Sequence, residues 1–140
     1  CILSVHHRGT PERPGLVLGL DKGGSCRVVA FRVAQDKSEA TIAYLREREQ
    51  VTSVYVETTH RLRLNDGRLV EAIAYTADRT HSQFVRGLSH EALLERVSQG
   101  VGVSGRNPDY VRATYAEMKK LGINDPKLTK LITALDRAGL

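Results

Sequence analysis

The sequence predicts an α+β fold with a largely antiparallel sheet or partial barrel. Short runs in the first half alternate apolar and polar residues with a period of two, whereas from Ser89 onward the apolar residues recur every three or four positions. One helical segment interrupts the strands. With 140 residues and 41% hydrophobic content, the chain is expected to form a single domain, residues 1–140, with a core that needs no disulfide scaffold.

Six segments of the first half predict strands. The runs are apolar or alternating and are separated by Pro- and Gly-rich turns. One of them, Cys26–Val33, is apolar on both pleat faces and therefore predicts a central, doubly covered strand. Asn65-Asp66-Gly67 predicts a hairpin turn, because these residues tolerate positive φ. The predicted strands are residues 1–7, 16–20, 26–33 and 51–56, and the hairpin arms around residues 62–74.

Capping patterns predict where four helices begin. Asp36 and Glu39 are spaced as a capping box, so a first helix should start near Lys37 and carry Glu49. Three helices should close the chain, each opened by a polar N-cap, and in two of them proline takes the first helical position. The predicted caps are Ser89, Asn107 before Pro108, and Asp125 before Pro126.

Glu49 is the first candidate catalytic residue. On a helix that turns about 100° per residue, Ile42, Leu45 and Glu49 share one stripe, whereas Glu47 points elsewhere. A carboxylate on an inward stripe at a helix carboxyl end is partly desolvated and faces the negative pole of the helix dipole. Both effects disfavour its charged form, as a general base requires. The alternative is a last-turn glutamate that is solvated or paired with a nearby arginine.

Charge and cysteine content restrict the partners. The net charge of +5, from 21 basic and 16 acidic residues, is spread along the chain, so nucleic-acid binding is not expected, whereas a small anionic substrate would be compatible. Cys1 and Cys26 show no metal-binding spacing, and we predict no metal. No apolar run has the length of a membrane span and no signal peptide is evident, so we expect a cytoplasmic protein without membrane partners.

Gly100, Gly102 and Gly105 spell the G-x-G-x-x-G pattern of dinucleotide-binding proteins. That pattern must follow a strand and open a helix, but here it follows a predicted helix. We therefore interpret Gly100 as a helix C-cap and exclude a nucleotide fold. The segment that ends at Asn107 either caps the next helix with Asn107 or offers amides to a substrate carboxylate.

Two tyrosines complete the candidate site. Tyr55 and Tyr110 each carry a hydroxyl that needs a partner when buried, so either can line a polar pocket or belong to an ordinary core.

Four segments, in this order, resemble the ChaC-like gamma-glutamylcyclotransferases. They are HRGTPERPGLVLGLDKGGSC, VAFRV, AYLRERE and SGRNPDYV, and the resemblance covers nearly the whole chain. The resemblance implies a small mixed, largely antiparallel β-barrel or sheet flanked by helices. It also implies a cytosolic lyase, in a family once described as cation transport regulators, that cleaves glutathione into 5-oxoproline and cysteinylglycine without a cofactor. It also implies that Glu49 is the catalytic glutamate and that Tyr55 and Tyr110 bind the substrate.

The family's Tyr-Gly-Ser-Leu loop, whose backbone amides hold the γ-glutamyl group, has no match in these residues. We therefore expect that the domain lacks its amino-terminal strand and substrate-binding loop here, and that an upstream segment precedes Cys1. Two alternatives stay open. One is a non-catalytic binding or regulatory protein on the same fold, and the other is a cyclotransferase for other γ-glutamyl amines. The sequence does not define the oligomeric state.

Overall fold

The structure is a computed structural model that describes residues 1–49 and 53–140. The chain divides into two compact units. Residues 1–18 and 82–140 form what we call the helical unit, and residues 19–81 form the hairpin unit. The helical unit contains β1 (Ile2–Ser4), β2 (Gly15–Val17), α2 (His90–Gln99), β5 (Val101–Gly102), β6 (Gly105–Arg106), α3 (Asn107–Lys120) and α4 (Pro126–Arg137). The hairpin unit contains α1 (Ser38–Glu49), β3 (Tyr55–Arg63) and β4 (Leu69–Ala77).

The helical unit buries one apolar core between its three helices and its first strands. β1 and β2 pair antiparallel, with Ile2 opposite Val17. Each of the three helices contributes an apolar face to this core, because the buried core cluster draws on all three of them and on β2. Its members are Leu16, Val97, Val111, Leu131 and Leu135. The predicted caps Ser89 and Asp125 are also confirmed, since both side chains accept backbone N–H bonds from the first turns of their helices.

The glycine-rich segment after α2 packs against the turn that follows β1. The N–H groups of Val103 and Ser104 donate to the carbonyls of His6 and His7, both at 3.0 Å. A Cβ on Gly102 would lie 2.3 Å from the His6 carbonyl oxygen, so no larger residue fits there. Gly100 caps α2, as predicted, and its N–H donates to the Arg96 carbonyl. The glycine spacing therefore serves close backbone packing.

Asn107 does not cap α3, and that alternative for the segment is wrong. Its side chain is fully buried and instead bonds to β2. Its Oδ1 accepts from the Leu16 N–H at 2.7 Å, and its Nδ2 donates to the Leu16 carbonyl at 2.8 Å. The side-chain amide of Asn107 therefore satisfies the N–H and the carbonyl of Leu16, as the backbone of a neighbouring strand would. Asn107 is consequently the first residue of α3, and the N-cap position passes to Arg106.

In the hairpin unit, β3 and β4 form a nine-residue antiparallel ladder from Tyr55 opposite Ala77 to Arg63 opposite Leu69. The predicted turn is confirmed, with Gly67 at φ 86°. The first two residues of the strand predicted over Val51–Val56 lie outside the described residues, and β3 begins at Tyr55.

The central strand predicted over Cys26–Val33 is contradicted. This segment has no assigned secondary structure, and its residues are exposed, with Phe31 at 87% of its full accessibility. An apolar run becomes a strand only when another strand satisfies its backbone groups. In the part of the chain that the structure describes, no strand pairs with this segment. The α+β class with antiparallel pairing is nonetheless confirmed.

Candidate active site

Glu49 is the last residue of α1. Its side chain is 33% exposed and shares a half-buried stripe with Ile42 and Leu45, whereas Glu47 is exposed. These exposures agree with the helical register inferred from the sequence. Glu49 is therefore the inward-facing carboxylate of the Arg-Glu-Arg-Glu segment.

The side chain of Arg48 forms an ion pair with Glu49. Its Nε lies 3.5 Å from Glu49 Oε1, which is longer than a normal N–H···O hydrogen bond. Arg48 also donates to the hydroxyl of Tyr44 at 3.3 Å. Because the contact is long and both side chains are partly solvated, it neutralises the Glu49 carboxylate only weakly.

A second carboxylate, Glu57, lies in a polar network that sequence reasoning missed. Arg46 donates two parallel hydrogen bonds to it, from Nε to Oε2 at 2.8 Å and from Nη2 to Oε1 at 2.7 Å. The Tyr75 hydroxyl donates to Oε2 of the same carboxylate at 3.0 Å. Glu57 and Tyr75 are cross-strand neighbours in the β3–β4 ladder. One sequence signal could have indicated Glu57: it lies two residues after Tyr55, so both side chains fall on one face of the strand.

Hydrogen bonding, charge and burial shift the pKa values of Glu57 and Tyr75 in this network. The hydrogen bonds from Arg46 lower the pKa of Glu57, against the opposing effect of partial burial. Glu57 is thus an ionised acceptor whose oxygens are already occupied. Burial raises the pKa of Tyr75, and so do its bond to Glu57 and the negative charges of Glu57 and Glu49. Tyr75 therefore stays a neutral hydroxyl within the electrostatic reach of Glu49.

Tyr55 and Tyr110, the predicted substrate-binding residues, lie in different units. Tyr55 begins β3 and is half-buried on the same strand face as Glu57. Tyr110 lies on α3 of the helical unit, where its hydroxyl accepts the Leu18 N–H at 3.1 Å. The Arg8 guanidinium lies 5.4 Å from the centre of its ring, within cation–π range. Tyr110 thus has a structural role besides any contact with substrate.

Replacing Tyr110 by phenylalanine should reveal that structural role. Tyr110→Phe removes the acceptor of the Leu18 N–H and is expected to lower the free energy of unfolding by about 0.5 to 1.5 kcal/mol. Urea denaturation measures this change. Tyr55→Phe, which likewise removes one hydroxyl and no apolar volume, is the comparison, and we expect it to weaken the activity of the candidate site more than stability. Unchanged stability of Tyr110→Phe would show that the Leu18 contact contributes nothing.

Residues 1–49 and 53–140, the described part of the chain, contain neither a metal-binding cluster nor a membrane-spanning helix. Within those ranges, no group of three or more His, Cys, Asp or Glu residues is arranged to hold a metal ion. No helix found there is long and apolar enough to cross a membrane.

Two proteins similar in sequence to this chain are named for the same activity. The chain is 30% identical over 137 residues to the glutathione-specific gamma-glutamylcyclotransferase of Escherichia coli, covering 98% of this chain and 59% of that protein. It is 28% identical over 135 residues to glutathione-specific gamma-glutamylcyclotransferase 1 of Danio rerio, covering 92% of this chain and 69% of the relative. The chain thus spans less than two thirds of the length of its Escherichia coli relative.

Solved structures show a similar fold. A crystal structure of the gamma-glutamylcyclotransferase specific to glutathione from yeast superposes with a TM-score of 0.78 at 18% sequence identity, covering 97% of this chain and 81% of the yeast chain. A second crystal structure of the yeast enzyme gives a TM-score of 0.74. The model of the ChaC-like protein family matches residues 1–138. Because this match extends over almost the whole sequence, the chain belongs to the ChaC-like protein family.

Proposed function

We propose that the protein is a glutathione-specific gamma-glutamylcyclotransferase that cleaves glutathione into 5-oxoproline and cysteinylglycine in the cytoplasm. Membership of the ChaC-like family supports the reaction class. The names of the Escherichia coli and Danio rerio relatives support glutathione as the substrate. The proposed catalytic residue is Glu49, and the proposed substrate-binding residues are Tyr55 and Tyr110.

The position of Glu49 is the observation that carries the mechanism. Its carboxylate is half-buried at the end of α1, and among residues 1–49 and 53–140 its ion pair is the long contact with Arg48. Glu57, by contrast, is engaged by Arg46 and Tyr75 and is held in its ionised form. A proton carrier must exchange a proton during the reaction, and a carboxylate already occupied by a bidentate arginine is poorly suited to that task. Glu49 is therefore the better general base of the two.

The proposed reaction moves one proton and breaks one amide bond. Glu49 takes one proton from the neutral α-amine of the γ-glutamyl unit as the amine nitrogen forms a bond to the γ-carbonyl carbon of the same molecule. As the amide bond breaks, Glu49 returns the proton to the nitrogen of cysteinylglycine. Ring closure is intramolecular, so catalysis requires mainly that the chain of the γ-glutamyl unit be held folded. No water is consumed, and no cofactor is required.

We expect the full-length protein to convert glutathione to 5-oxoproline and cysteinylglycine at equal rates without added metal. The mechanism places every proton transfer on Glu49, so a chelator should leave the rate unchanged. Chromatography of both products from chelator-treated protein measures this. Chelator inhibition that is reversed by one particular metal would contradict the mechanism.

The choice of substrate separates the proposal from its two alternatives. Turnover of γ-glutamyl-alanine with none of glutathione would indicate a cyclotransferase for other γ-glutamyl amines. Glutathione binding, detected by calorimetry, without any 5-oxoproline would indicate a binding or regulatory protein on the same fold.

A further inference from the structure

Helix α1, which carries Glu49, is weakly anchored by apolar packing. No residue from Ser38 to Glu49 is fully buried, and Tyr44 is 57% exposed. Most helices in folded proteins are stabilised by burying an apolar face, and the last turn of a helix is the first to fray. The terminal turn of α1 therefore needs another contact to hold Glu49 in one place.

The bidentate pair of Arg46 and Glu57 supplies such a contact. Arg46 precedes Glu49 by three residues, so both belong to the terminal turn and are neighbours along the helix surface. The two hydrogen bonds of 2.7 and 2.8 Å fix the guanidinium plane against the Glu57 carboxylate in both distance and direction. We call this contact the Arg46–Glu57 clamp.

The clamp is attached to a rigid support. Glu57 is the third residue of β3, inside the nine-residue ladder with β4, and its side chain is only 23% exposed. The Tyr75 hydroxyl, across the ladder, holds the same carboxylate at 3.0 Å and leaves it little rotational freedom. An isolated surface ion pair contributes little to stability. A bidentate arginine–carboxylate pair whose carboxylate is held by a further hydrogen bond, however, restricts geometry strongly.

We propose that Arg46 and Glu57 are positioning residues that hold the last turn of α1 on the β3–β4 hairpin and so fix the Glu49 carboxylate. This inference rests on the proposed catalytic role of Glu49. A displacement of about 1 Å in a catalytic group can cost on the order of a hundredfold in rate, so loosening the clamp should affect turnover far more than substrate affinity.

Three variants of the full-length protein test the clamp. Arg46→Met and Glu57→Gln should each lower kcat on glutathione by about tenfold or more and change KM by less than about twofold. The double variant should be no worse than the single ones, because both remove the same contact. Arg68→Lys is the control, since Arg68 forms an exposed 2.7 Å pair with Asp66 at the far end of the hairpin, and its kcat should match the wild type.

Hydrogen exchange gives a readout that does not depend on turnover. The amides of the last turn of α1 should exchange faster in Arg46→Met than in the wild type, while those of β3 and β4 stay protected. Normal kcat in Arg46→Met, or unchanged exchange in that turn, would overturn the inference. If the wild-type protein makes no 5-oxoproline, the proposed function fails, and the exchange experiment still decides whether the clamp exists.

Discussion

Glu49→Gln in the full-length protein should lower kcat on glutathione by about 10² or more, while glutathione still binds. The substitution keeps the shape of the side chain and removes its ability to take and return a proton, and general acid–base catalysis contributes on that scale. Steady-state kinetics together with calorimetric binding would separate the two effects. Stability should stay level or rise, because a neutral amide replaces a half-buried carboxylate.

Glu47→Gln is the matched control for this prediction. Glu47 lies two residues away on the same helix, carries the same charge and is exposed. Its variant should therefore show wild-type kinetics. Normal turnover by Glu49→Gln, or a large loss in Glu47→Gln, would show that the mechanism is assigned to the wrong residue.

Asn107→Ala should cause a large loss of stability. It leaves both backbone groups of Leu16 without their partner in a fully buried position. Each buried polar group that loses its partner costs about 1 to 3 kcal/mol, so the loss of two partners should lower the free energy of unfolding by roughly 2 to 6 kcal/mol. Urea or thermal denaturation would measure the change.

Asn124→Ala provides the comparison, because Asn124 is an exposed asparagine in the same unit. Its substitution should shift stability by less than about 0.5 kcal/mol. If Asn107→Ala were as stable as Asn124→Ala, water would be satisfying the Leu16 groups, and the strand-like role given to Asn107 would be wrong.

The sequence predicted well those features that depend on local periodicity. The stripe of Ile42, Leu45 and Glu49 follows from helix geometry alone, and their half-buried state agrees with it. The caps Ser89 and Asp125 also depend only on neighbouring residues, and both form the expected hydrogen bonds.

Features that depend on contacts distant in sequence could not be predicted. Asn107 was interpreted as a local cap because nothing in its neighbourhood points to Leu16, which lies 91 residues away in the sequence. The pairing of Arg46 with Glu57 requires both the β3–β4 register and the placement of α1 upon it. The run Cys26–Val33 was misassigned because its composition indicates the environment of a covered strand and not the presence of a partner strand.

The most direct test of the central claim is whether oxygen from water is incorporated into the γ-glutamyl product during glutathione cleavage. The full-length protein would be given glutathione in ¹⁸O-labelled water, and the γ-glutamyl product would be examined by mass spectrometry. Intramolecular cyclisation predicts 5-oxoproline without ¹⁸O, since the γ-carbonyl oxygen is retained and the nucleophile is the α-amine. Glutamate that carries one ¹⁸O atom would show that water is the nucleophile, and it would contradict the cyclotransferase mechanism.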